Sequence, residues 1–220
     1  MAERFVKVYP RFERFWHWSQ MALIMVLLFT GLALNGLHGL IPFGPATMLH
    51  IIAALALIVL WVFAIFWHLT TGTWKHYVPT RDGLLRVAKF YVWDIFKGDP
   101  HPYRKAYWRK HNPLQAVTYL ALKVLLFPAI WITGLLALGW NFWEDIPNAP
   151  MLGALVSNIH LLAAYAIAAF VIAHVYLLTV GHSFREHVKP MITGFDKIDL
   201  TPAEEAYLEA DEPGRLKPKG

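Results

Sequence analysis

His160 and His174 stand fourteen residues apart within one apolar stretch, residues 151–180. A neutral imidazole nitrogen is a common metal ligand, and histidine is a usual axial ligand of haem iron. At about 100° per residue, fourteen residues end about 40° short of four full turns, so both rings leave a helix on nearly one face. The rise between them is about 21 Å, most of the roughly 30 Å apolar thickness of a bilayer. One small ion cannot bridge that distance. Two same-face imidazoles near opposite leaflets suit two haems stacked across a membrane, each needing one more ligand.

The elements that must position these rings are spanning helices. The chain has 220 residues, 57% of them hydrophobic and 16% charged, against about 25% charged in ordinary soluble domains. Four stretches are long and apolar enough to cross a bilayer: residues 15–36, 47–70, 115–138 and 151–180. The ten Trp residues suit interfacial belts. There is no Cys, which excludes disulfides, cysteine-held iron–sulfur clusters and thioether-attached haem. The expected fold is therefore all-α, an integral membrane four-helix bundle with two haems stacked across it.

Charge sets the orientation. Arg4, Lys7, Arg11 and Arg14 precede the first span, and nine basic residues lie from Lys75 to Lys110. Arg185, Lys189, Lys197, Arg215, Lys217 and Lys219 follow the fourth, whereas loops 37–46 and 139–150 hold no Lys or Arg. The positive-inside rule places both termini and the middle loop in the cytoplasm of a cell with an inner membrane. The net charge of +5 is thus a topology signal, and no nucleic-acid partner follows from it. Residues 82–96 have an apolar face with Arg86 and Lys89, as a helix lying at the cytoplasmic interface would. Residues 1–200 read as one membrane domain. Residues 201–220, rich in Glu, Pro and Lys, read as a disordered cytoplasmic tail.

Depth pairs the intramembrane histidines. His17 begins the outward-running first span, and His174 sits near the cytoplasmic end of the fourth. His50 lies at the periplasmic start of the second span, and His160 lies about 13 Å into the fourth from the same side. The pairs are His17 with His174 and His50 with His160. His68, five turns after His50 and on the same face, is an alternative inner partner for His174. Basic Arg14 beside His17 favours the first choice, since cations neutralise haem propionates. The other histidines, His38, His76, His101, His111, His182 and His187, read as solvated polar residues of the connections.

Three features together carry a resemblance: Arg14-Phe15-Trp16-His17-Trp18 opening the first span, His111-Asn112-Pro113-Leu114-Gln115 opening the third, and His160 with His174 in the fourth. The chain resembles the dihaem cytochrome b subunits of the prokaryotic cytochrome b561 superfamily over residues 8–190. Its nearest likeness is to the quinone-linked anchors of formate dehydrogenase, nickel–iron hydrogenase and thiosulfate reductase. The resemblance implies two haem b groups held by His17/His174 and His50/His160. It also implies a menaquinone or ubiquinone site near the inner haem, at Asn112 and Gln115. In formate dehydrogenase anchors a Gly stands where this chain has Leu114. A plain helix cap at Asn112-Pro113 would explain the same residues.

The function expected from this is electron transfer between a periplasmic redox partner and the quinone pool. The partner would be a multihaem cytochrome, a molybdenum/iron–sulfur enzyme or a hydrogenase. Trp140 and Trp143, beside Glu144 and Asp145 in the outer loop, would anchor the interface or help to dock that partner. Two alternatives have other chemistry: a self-contained superoxide:quinone oxidoreductase of the cytochrome b561 type, and a haem-free metal-ion transporter.

Overall fold

A computed structural model describes residues 2–99, 101–179 and 183–217; His182 and the last three residues lie outside them. Four helices are long and apolar enough to span a membrane. They are α1 (Arg11–Leu34), α2 (Phe43–Thr71), a third span built from α4 (Pro113–Ala121) and α5 (Phe127–Leu138), and α6 (Ala149–Leu177). Helix α3 (Leu84–Val92) lies between the second and third spans, close to the expected 82–96. Pro10 precedes α1, and Gly36 beyond its end adopts φ 77°, the left-handed conformation that stops a helix at little steric cost. Between α4 and α5 the turns widen into a π-helix, Leu122–Leu126, where the Phe127 N–H donates to the Leu122 carbonyl. Pro128 follows directly, and its missing N–H and its ring disfavour the regular ladder there.

Contacts divide the chain into two compact units. The first comprises residues 1–22, 60–117 and 178–220. Its core is small and lies outside the spans: Val6, Val8, Ile198, Leu200 and Leu208, with Tyr9, Tyr107 and Leu216 packed against it. Strands β1 (Ala2–Lys7) and β2 (Phe195–Leu200) pair antiparallel, with Arg4 opposite Ile198 and Val6 opposite Asp196. Helices α7 (Phe184–Thr193) and α8 (Pro202–Asp211) flank β2. The all-α expectation is therefore corrected by one two-stranded sheet.

The disordered-tail expectation for 201–220 differs more. Thr201 and Glu204 form a reciprocal capping box that opens α8, with Pro202 in the first turn. Leu208 is fully buried in the core, and the Lys217 N–H donates to the Phe5 carbonyl at 3.0 Å. One well-placed Leu and a cap outweigh a polar average. Ion pairs tie the same unit together, among them Lys110 with Glu13 at 2.6 Å and Arg104 with Glu204 at 2.6 Å.

The second unit comprises residues 23–59 and 118–177. Helices α5 and α6 pack side by side across a short connection. Trp140 seats on Gly153 at the start of α6, where an added Cβ would stand 2.6 Å from the indole. The Trp143 indole N–H donates to the Leu136 carbonyl at 2.9 Å, and the two rings meet edge-on with centroids 4.5 Å apart. Both tryptophans thus secure the turn between α5 and α6.

Candidate functional site

His50 on α2 and His160 on α6 come together in the second unit. Their ring centroids are 6.3 Å apart and their planes are inclined by 62°. Each ring is held from behind by a threonine on a further helix. Thr30 Oγ1 on α1 lies 2.9 Å from His50 Nδ1, and Thr133 Oγ1 on α5 lies 3.1 Å from His160 Nδ1. Each hydroxyl also donates back along its own helix, Thr30 to the Val26 carbonyl at 2.8 Å and Thr133 to the Ala129 carbonyl at 2.6 Å.

A hydroxyl has one proton. With that proton committed to a carbonyl, Oγ1 can only accept from the ring, so Nδ1 carries the imidazole hydrogen. Nε2 of each histidine is then an unprotonated donor of a lone pair, the state a metal ligand needs. The residue after each threonine is glycine. A Cβ at Gly31 would stand 3.4 Å from His50 Cε1, and one at Gly134 would stand 3.2 Å from His160 Cε1. At Gly134 the absent side chain lets the helix approach the ring edge, whereas at Gly31 a methyl group would just touch it.

The other expected ligands are found as follows. His17 is half-buried in the first unit, with its ring edge-on to Trp18 at 5.3 Å. His174 belongs to the second unit and stacks on Phe170 at 5.7 Å, which itself meets Tyr119. His68 is buried and uses both nitrogens within the first unit. Its Nδ1 lies 2.5 Å from the Ala64 carbonyl, so it donates there, and Nε2 at 3.3 Å accepts from the Tyr77 hydroxyl. Tyr77 in turn packs against His111 at 4.9 Å. His38 is also engaged, with Nε2 2.8 Å from the Phe29 carbonyl.

Asn112 and Gln115 are brought together, as a capping box. The Gln115 N–H donates to Asn112 Oδ1 at 2.8 Å, and the Asn112 N–H donates to Gln115 Oε1 at 3.1 Å. The Asn112 amide also donates to the Tyr91 hydroxyl at 3.4 Å. Burial pushes the Tyr91 hydroxyl pKa up, against the lowering effect of Asn112. Nearby, burial pulls the Lys110 ammonium down, partly offset by Glu13. Burial, followed by the cations Lys110, Arg215 and Arg109, lowers His76 to about 4.

Thr30 and Thr133 had no place among the residues expected from sequence. A signal existed: the tripeptide Thr-Gly-Leu occurs at 30–32 and again at 133–135, within two different spans. A repeated polar step in otherwise apolar helices is a candidate for interhelical hydrogen bonding.

Spanning helices that present paired intramembrane imidazoles define a membrane cytochrome as the class of protein. The chain belongs to the prokaryotic cytochrome b561 family, whose profile matches residues 8–194. It is similar to YdhU of Escherichia coli (strain K12), a protein named as a cytochrome. The two are 29% identical over 197 residues, covering 87% of this chain and 75% of that protein. No solved structure matches. The protein is accordingly a multi-pass inner-membrane cytochrome b that binds haem b and serves electron transport.

Proposed function

We propose that this cytochrome holds two haem b groups and passes electrons between a periplasmic redox partner and membrane menaquinone or ubiquinone. The His50–His160 pair carries the reading. Two metal–nitrogen bonds of about 2.0 Å, plus about 1.1 Å from each nitrogen to its ring centre, separate axial imidazole centroids by about 6.2 Å. The observed 6.3 Å fits that span. Among the described residues no three His, Asp or Glu side chains converge on one point, and a two-imidazole donor set suits haem better than a bare zinc ion, which takes four ligands.

When bound, haem supplies one-electron exchange between ferric and ferrous iron. His50 and His160 hold the outer group. His17 and His174 hold the inner one, on their depth and the family pattern. The internal hydrogen bonds of both His68 nitrogens favour His17 over His68. The quinone site is assigned to the start of α4. There the oxygens of Asn112 and Gln115 serve the cap, so their NH₂ groups are the donors for a quinone carbonyl. They orient the ring, and the cytoplasm supplies or takes the protons.

Pairing of β1 with β2 supports a common side for both termini, as four spans require, and the basic connections make that side cytoplasmic. The partner docks at the outer loops, where Phe142 is 94% exposed beside Glu144 and Asp145.

A pyridine haemochrome assay on the purified chain tests this. Two b-type haems per chain are expected, with His50→Ala and His160→Ala each losing one and His68→Ala keeping both. A chain without haem, or full haem retention in the His50 and His160 variants, overturns the proposal.

A further inference from the structure

The two histidines of the close pair are held alike although they sit on different helices at different depths in their sequences. Each has a threonine acceptor behind Nδ1 and a glycine beside Cε1, and the two contacts come from consecutive residues of one neighbouring helix. Thr30 is fully buried and Thr133 nearly so. Neither hydroxyl is needed to satisfy its own helix, because every backbone carbonyl it meets already lies within a regular helical segment. A buried hydroxyl in a lipid-embedded helix is kept at a cost unless it is hydrogen-bonded. Here the bonds have a definite polarity: carbonyl oxygen accepting from Thr, and Thr oxygen accepting from His.

We propose that Thr30 and Thr133 are positioning residues that lock His50 and His160 as Nδ1–H imidazoles and thereby set the reduction potential of the haem between them. The inference rests on the haem-ligand reading above and deepens it. An acceptor on Nδ1–H makes the opposite nitrogen a stronger electron donor. Stronger donation favours ferric over ferrous iron, so each Thr–His bond holds the potential down. The hydroxyl is itself fixed by its carbonyl, so the ring cannot rotate about χ2 without losing its bond to the threonine, and it cannot exchange tautomers unless the hydroxyl also leaves that carbonyl. Gly134 makes room for that approach, since a Cβ 3.2 Å from His160 Cε1 would push the ring by a few tenths of an ångström; at Gly31 a Cβ would meet His50 Cε1 at 3.4 Å, an ordinary contact distance.

The test is a redox titration of the purified holoprotein with Ser, Cys and Val at each threonine, read together with haem content and the low-spin ferric resonance signal. Ser keeps the acceptor, Cys offers a weak one and Val offers none, at nearly constant shape. The potential of one haem should stay at the wild-type value in Thr30→Ser and Thr133→Ser, rise partly in the Cys variants and rise most in the Val variants. Each tenfold change in the ferric-to-ferrous equilibrium moves a one-electron potential by about 59 mV. If a Val variant loses its haem, the Ser and Cys pair still decides the matter through their difference. Equal potentials across each series, with both haems retained, would overturn the role of the threonines and leave the ligand assignment standing. Retention of both haems in His50→Ala and His160→Ala would instead remove the ligand reading and this inference with it.

Discussion

The two units solve the same problem, satisfying polar groups, by opposite means. The second unit is mostly spanning helix, and there the hydroxyls of Thr30 and Thr133 bond back to their own helices while the imidazoles of His50 and His160 bond to those hydroxyls. The first unit contains the terminal strands and the middle connection, and it is joined by ion pairs: Lys110 with Glu13, Arg104 with Glu204, Lys105 with Asp196 and Arg4 with Glu205. Solvent explains the difference. Lipid offers no partner to a stray polar group, so every one must be met inside the protein. Water screens charge and tolerates salt bridges at modest gain.

Histidine shows the contrast most sharply. His50 and His160 engage Nδ1 in the fold, with a threonine hydroxyl on a neighbouring helix, whereas His68 engages both nitrogens.

The Lys110–Glu13 pair is where this contrast is most easily broken, because its two side chains are each only 9% exposed. Glu13→Ala leaves a buried ammonium without its carboxylate and should cost about 3–5 kcal/mol. The thermal midpoint in detergent would drop clearly; an unchanged midpoint would mean that water reaches Lys110. Leu208→Ala removes the apolar anchor of α8 and should cost about 2–5 kcal/mol. Limited proteolysis would then cut the segment after Thr201, while resistance equal to wild type would deny α8 its part in the core.

The smallest effect concerns pH. His76 titrates near 4 in the fold against an ordinary 6.5, because burial and then Lys110, Arg215 and Arg109 oppose its charge. Between those values the unfolded chain binds a proton that the folded chain does not, so stability falls as pH drops from about 6.5 to about 4. Because His76 is only half-buried, solvent moderates the loss. His76→Gln should flatten that part of the stability profile, and a profile identical to wild type would show that His76 is not the group responsible.

Much of the architecture was legible because it depends on local pattern. Apolar length located four spans to within a few residues, and their ends moved by at most four. The facing of His50 and His160 followed from depth and helical period. Other features depend on partners far along the chain. Strand β1 pairs with residues nearly two hundred positions away, and no local periodicity announces it. The reading of 201–220 as a tail averaged over a segment in which a single Leu and a capping box decide the outcome. Asn112 and Gln115 looked like a ligand site and are first of all a cap, since the same polar atoms suit either use.

By itself the sequence determined that this chain spans a membrane four times, which sides its basic connections favour, and which residue type could hold iron. Those follow from transfer energy and helical period, which are properties of short stretches. Tertiary structure alone decided which ring nitrogens of the histidines are engaged within the fold. That depends on a hydroxyl arriving at hydrogen-bonding distance from another segment, and there Thr30, Thr133 and Tyr77 assign different chemistry to the same side chain.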